Sequence, residues 1–250
     1  MCIKKFIGDK AFYRTVLAVA VPIMIQNGFT NLVNLLDNIM VGRLGTECMS
    51  GVSIVNQFIF VFNLLIFGAV SAAGIFTAQY HGLGDTEGVR QTFRLKWIIN
   101  LSAGVLGVLI FALFGSGLIG TFLHEGGTEG DLALTLAQGQ QYLYWMLIGL
   151  IPYAISQAYA STMRETGETV LPMIASIAAV LTNFVLNLIL IFGLLGLPAL
   201  GVAGAAIATV ASRFVELAIL AVWGHTHIKR CPFLSEVFRS FSVSKTLVGR

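Results

Sequence analysis

Six separate stretches of this chain are apolar for long enough to cross a lipid bilayer. They run approximately over Tyr13–Val41, Ser50–Gln79, Leu95–Phe122, Leu134–Ala160, Val170–Phe192 and Val202–Gly224. One crossing takes about 20 residues in a helix. The runs are continuous and lack period-2 alternation, which excludes an outer-membrane barrel. A helix satisfies its own backbone hydrogen bonds, as a hydrocarbon surrounding demands. The first run is too long, and its second half too polar, for a cleaved signal peptide. The expected fold class is therefore an all-α polytopic transmembrane bundle of six helices.

Composition supports this reading. Only 11% of the 250 residues are charged, against about 25% in a soluble domain, and the mean hydropathy is +0.85. Charge placement gives the orientation. With six spans, 13 of the 15 Lys and Arg fall on one side: those before the first span, Arg90, Arg94 and Lys96, Arg164, and those after Gly224. Excess Lys and Arg marks the cytoplasmic face. Arg43 lies on the opposite face and Arg213 inside the sixth span. The expectation is a multi-pass protein of the cytoplasmic (inner or plasma) membrane with both termini in the cytoplasm.

The connections are short. Leu123–Asp131 is acidic and Gly-rich, Gly193–Gly201 is apolar, and His81–Arg94 holds turn signals followed by a basic stretch. Residues 1–224 are expected to form the six-helix lobe. Residues 225–250 are expected to form a polar cytoplasmic linker, its later part an amphipathic surface segment. Cys2, Cys48 and Cys231 build no disulfide framework.

The polar residues inside the spans are ordered. In the first span Gln26, Asn27, Thr30, Asn31, Asn34, Asp37 and Asn38 share an arc of roughly 140° at about 100° per residue. In the second, Ser53, Asn56, Gln57, Asn63 and Ser71 share a similar arc of roughly 140°. Ser176, Asn183 and Asn187 in the fifth lie within roughly 40°, and Thr209, Ser212, Arg213 and Glu216 in the sixth within roughly 100°. The third span is almost wholly apolar or Gly and reads as the most lipid-exposed. Single Ser, Thr or Asn residues serve helix packing, as does the small-residue row Gly204, Ala208, Ser212. Four aligned polar faces point instead to an enclosed aqueous cavity. Asp37 is either an interfacial residue near the outer headgroups or a carboxylate facing that cavity, and the stripe beneath it favours the cavity. Arg213 and Glu216, three apart, can form a nearly neutral pair. In a sharper reading Glu216 is a second protonatable site.

Enzyme chemistry is not expected. All four histidines lie in loops or at helix ends, and no HExxH, GxSxG or Walker A pattern occurs. His225, His227 and Cys231 have a spacing too weak for a zinc signature. Nothing resembles a channel filter, and no ATP-binding domain stands in the chain, so transport would draw on an ion gradient or a partner.

Four stretches carry a family resemblance: LDNIMVGRLGTECMSGVSI (Leu36–Ile54), TAQYHGLGD (Thr77–Asp85), RETGETVLP (Arg164–Pro172) and TNFVLNLILIFGLLGLPALGVAGAAIAT (Thr182–Thr209). Together they resemble the multidrug and toxic compound extrusion (MATE) transporters, over about Phe12 to Glu216. The resemblance implies a secondary antiporter that exports amphipathic, often cationic organic compounds in exchange for H⁺ or Na⁺. It also implies two six-helix lobes related by an axis along the membrane normal, of which this chain would be the N-terminal one, a half-length fragment with residues 225–250 as the linker to, or the start of, the second lobe. A second lobe or another copy is then the expected partner, beside the small-molecule substrate and the bilayer; nucleic acid is not. By the same resemblance Asp37, in LDNIMVG, takes the place of the coupling carboxylate. Asn183 and Asn187 stand where sodium-coupled members have an Asn and an Asp, and Thr209 is assigned to their Thr. The missing second carboxylate argues for H⁺ as coupling ion, with Na⁺ at Asp37, Asn183 and Asn187 as the other possibility. No resident metal or cofactor is expected. A flippase of related fold for lipid-linked precursors, or a non-transporting membrane scaffold, are the rival functions.

Overall fold

The computed structural model describes residues 9–125 and 131–237. Cys2, Lys4 and Lys5, most of the acidic Leu123–Asp131 loop and the amphipathic stretch past residue 237 lie outside the described residues. Within them stand six long helices and no strand: α1 (Lys10–Gly42), α2 (Thr46–Gly82), α3 (Thr86–Glu125), α4 (Leu132–Glu165), α5 (Val170–Phe192) and α6 (Gly201–Thr226). The protein is a polytopic transmembrane helical bundle. Five of these helices are long and apolar enough to cross a membrane. The exception is α4, whose Gln, Tyr and Trp residues dilute its hydropathy. It packs on α2, α3 and α6 at the centre of the bundle, where a helix meets protein rather than lipid.

Several helices outrun the apolar runs that announced them, because polar caps carry them past the hydrocarbon. Asp85 accepts from the Gly88 amide at 2.9 Å and so starts α3 nine residues before Leu95. Asp131 accepts from the amides of Ala133 and Leu134 at 3.0 and 3.1 Å at the start of α4. Each cap satisfies amides that the first helical turn leaves without partners.

Five helices form a ring. α1 packs chiefly on α5, α5 on α6, α6 on α4 and α4 on α2, while a lighter contact between α2 and α1 closes the circle. α3 lies outside it, against α2 and α4. The α5–α6 contact depends on Gly204: a Cβ there would stand 2.7 Å from the carbonyl of Leu190. Within α1, Pro22 leaves the carbonyl of Ala18 without its usual partner four residues on. The Thr169 hydroxyl, at the start of α5, donates to that carbonyl at 3.4 Å.

α3 is not the most exposed helix. In the most apolar stretch of α1 only 6% of residues are buried, against 22% for α3. The single main neighbour of α1 and its open polar face account for this. α3 is anchored instead by polar contacts that its apolar sequence hides. Asn100 donates to the Ala154 carbonyl at 2.9 Å, and the fully buried Lys96 pairs with Glu165 while donating to Ser161 at 3.2 Å.

The residues after α6, expected as a trailing linker, pack back onto the bundle. Cys231, Phe233, Leu234 and Val237 are buried, with the Phe233 ring 5.5 Å from that of Phe93. Arg94 donates through Nε to the Val237 carbonyl at 2.8 Å, and Arg90 donates to the Ser235 hydroxyl at 3.1 Å. The basic ends of α3 and α6 are thus tied together.

Candidate functional site: a polar cavity inside the helix ring

The ring encloses a cavity of about 550 Å³, with residues of α1, α2, α4, α5 and α6 in its wall. Helical periodicity builds the wall. Gln26, Thr30, Asn34 and Asp37 recur at three- and four-residue steps along α1, and Asn56 and Asn63 at a seven-residue step on α2. Ser176, Asn183 and Asn187 on α5 and Thr209, Arg213 and Glu216 on α6 complete it.

One expected member is absent. Gln57 is exposed and stands outside the cavity, as do Asn31, Ser53 and Ser71. On α1 and α2 the wall uses a narrower strip than the full polar arc, whereas on α5 and α6 the whole arc lines it. A residue next to Asn56 is turned by about 100° and points away. The wall also has a helix that the polar stripes did not announce. Tyr142, Met146, Tyr153 and Gln157 of α4 face the cavity. These four share an arc of roughly 60°, so the same periodicity would have found them had aromatic and thioether side chains been counted with the amides.

Asp37, Asn183, Asn187 and Thr209 come from three helices and meet in one cluster. The Asn187 amide donates to Asp37 Oδ1 at 2.6 Å. The Asn183 amide group fits the network best with its oxygen accepting from the Thr209 hydroxyl at 3.1 Å, leaving its NH₂ 2.8 and 3.1 Å from the two Asp37 oxygens. The ionised carboxylate then accepts from two different amides, which compensates for its removal from water. Asn187 Oδ1 is buried and has no hydrogen-bond partner. The donor set offers one anionic and three neutral oxygens. In this arrangement the amide N–H groups of Asn183 and Asn187 are turned toward Asp37.

Arg213 and Glu216 do not form the ion pair their spacing allows. No ion pair links them among the described residues. The Arg213 guanidinium lies over the Tyr153 ring of α4, 5.1 Å from its centroid. Spacing along one helix permits a pair, but a ring on the facing helix competes for the same cation. Tyr142, also on the wall, donates to Asn56 Oδ1 at 3.3 Å.

A family model described as MatE matches residues 22–189. A probable multidrug resistance protein NorM of Thermotoga maritima is 31% identical over 209 residues, covering 83% of this chain and 43% of its own. A probable multidrug resistance protein NorM of Bacillus licheniformis is 27% identical over 249 residues, covering 97% and 52%. A solved structure described as the outward-facing conformation of a multidrug resistance MATE family transporter of the MOP superfamily superposes with a TM-score of 0.79 at 24% identity. It matches 94% of this chain and 49% of that one. The chain spans about half the length of the relatives it matches.

Proposed function

The chain belongs to the MatE family, and on that premise we propose that it forms one lobe of a secondary antiporter exporting amphipathic organic cations. The observation that carries this reading is the Asp37 cluster: one carboxylate, held by amides of α5, on the wall of a polar cavity inside a membrane bundle. The basic ends of the helices face the cytoplasm, following the excess of Lys and Arg. A second six-helix lobe, or another copy of the chain, faces the open side of the cavity.

The coupling ion we favour is H⁺. Ionised, Asp37 attracts a cationic cargo; protonated, it no longer does. Asn187 serves both states. Its NH₂ donates to the carboxylate, and after a rotation of the amide its now partnerless oxygen accepts from the carboxylic acid. A proton entering down an interior-negative potential supplies about 2.3 kcal/mol per 100 mV, roughly a 50-fold bias toward export.

The test uses vesicles holding a pH-sensitive dye, reconstituted with the chain alone and with a tandem of two copies. Ethidium added on one side should drive a proton flux that Asp37→Asn abolishes. Equal flux in wild type and variant would remove Asp37 from coupling.

A further inference from the structure

Arg213 is the charged group in the cavity wall whose hydrogen-bonding needs the described residues leave unmet, beside the neutral amide oxygens of Asn63 and Asn187. It is 8% exposed, its Nη1 is buried without a hydrogen-bond partner, and no described group accepts from its other nitrogens. Its one close polar feature is the face of the Tyr153 ring, 5.1 Å away, which leaves the in-plane N–H groups unused. Lys96 shows how this fold treats a buried cation it intends to neutralise, with Glu165, Ser161 and Thr162 all around the ammonium. A guanidinium carries five donors in a fixed fork that matches a carboxylate. Burying it without acceptors is unfavourable unless something else brings them.

Glu216 does not fill the role. It stands within electrostatic reach of Arg164 as well as Arg213, so its charge is shared between two guanidiniums. Asp37 lines the same cavity as Arg213. Thr209, which bonds to Asn183 in that cluster, and Arg213 are four residues apart on α6, a separation of about 6 Å along the axis. Tyr142 lies within electrostatic reach of both Asp37 and Arg213. The two charges therefore face one shared space.

We propose that Arg213 is an anion subsite of the cavity, which takes the carboxylate of an amphoteric organic cargo whose cationic group faces Asp37. The proposal rests on the reading of the cavity as the cargo site and ranks molecules carrying both charges above plain organic cations such as ethidium. A cavity that selected positive charge alone would take a cationic ester at least as well as the corresponding zwitterionic acid. The geometry demands the reverse.

The test is fluorescence anisotropy of two dyes binding to the purified chain in lipid nanodiscs. Rhodamine B carries a delocalised cation and a carboxylate; its ethyl ester carries the cation only. The wild-type chain should bind the acid at least about tenfold more tightly than the ester, as a charge-assisted pair provides. Arg213→Gln should abolish the preference, bringing the acid to no more than the affinity of the ester. Arg213→Lys should restore part of the preference, since it keeps the charge and loses the fork. Asp37→Asn should weaken both dyes while keeping their ratio. Equal binding of both dyes by the wild-type chain, or an acid preference that survives Arg213→Gln, overturns the subsite while leaving the exporter reading intact. The wild-type comparison holds whether or not a variant folds. Binding of neither dye by the wild-type chain overturns both readings.

Discussion

Asn187 of α5 donates to Asp37 of α1 across 2.6 Å, and this bond joins the least enclosed helix of the bundle to its main neighbour. A hydrogen bond to an ionised group contributes about 1.5–3 kcal/mol. Asn187→Leu should therefore lower the thermal midpoint of the detergent-solubilised protein, and should do so far less in an Asp37→Asn background. Additive losses in that double-mutant cycle would mean that the two side chains do not act together.

The proposed preference for H⁺ can be tested at the same position. Asn187→Asp adds a second anionic oxygen to a cluster that already offers neutral oxygens from Asn183 and Thr209. Hard cations favour carboxylate oxygen. The variant should gain thermal stability in NaCl relative to choline chloride, whereas the wild-type midpoint should be the same in both salts.

Close approach of α5 and α6 requires Gly204. A side chain there meets the Leu190 carbonyl, so Gly204→Val should push the helices apart and stretch the 3.1 Å bond between Asn183 and Thr209. Overpacking of this kind costs about 1–3 kcal/mol. Gly68, whose Cβ would meet nothing within 4 Å, is the control: Gly68→Val should leave the midpoint close to wild type.

Fully buried Lys96 pairs with part-exposed Glu165 between α3 and α4. Breaking a fully buried pair by removing one partner costs about 3–5 kcal/mol; with one partner reached by solvent the cost is smaller, and replacing both is milder still. Lys96→Met should thus be poorly expressed or low-melting, and Glu165→Met in the same chain should recover much of the loss. A double variant as unstable as the single one would show that Ser161 and Thr162, not the pair, hold the lysine.

Burial pushes the Cys231 thiol up to about 11, with the nearby Glu168 adding to the shift. The folded state thus holds this proton more tightly than the unfolded chain. The resulting stabilisation is whole below about pH 9 and is lost as pH rises through about 11. In a Cys2→Ser background, maleimide at pH 7.5 should modify the part-exposed Cys48 and spare Cys231 until the protein is denatured. Rapid labelling of Cys231 in the native protein would contradict the docking of the segment after α6.

Most of the bundle was legible because the bilayer imposes one solution on long apolar runs. Asp37, Asn183 and Asn187 stood out because amides and a carboxylate in hydrocarbon need a reason. What escaped had a different physical origin. α4 hid its part of the cavity because Tyr142 and Tyr153 read as ordinary bundle aromatics. Gln57 falls outside because the polar arc of α2 is wider than the strip of helix that the cavity uses. Spacing on α6 alone allows an Arg213–Glu216 pair, and the Tyr153 ring that competes with it belongs to another helix. The C-terminal docking depends on backbone carbonyls of Glu236 and Val237 taken by Arg94, and no residue pattern encodes such acceptors.

Thr169 ties α1 to α5 at the level of Pro22. The proline ring frees the Ala18 carbonyl, and Thr169 takes that carbonyl from the side. Asp37 sits fifteen residues further along, about 22 Å away on the helix axis. A difference of about 10° in the angle of α1 about that tie corresponds to about 4 Å at the carboxylate, more than the whole length of its bond to Asn187. That bond therefore fixes how α1 stands against α5 within narrow limits.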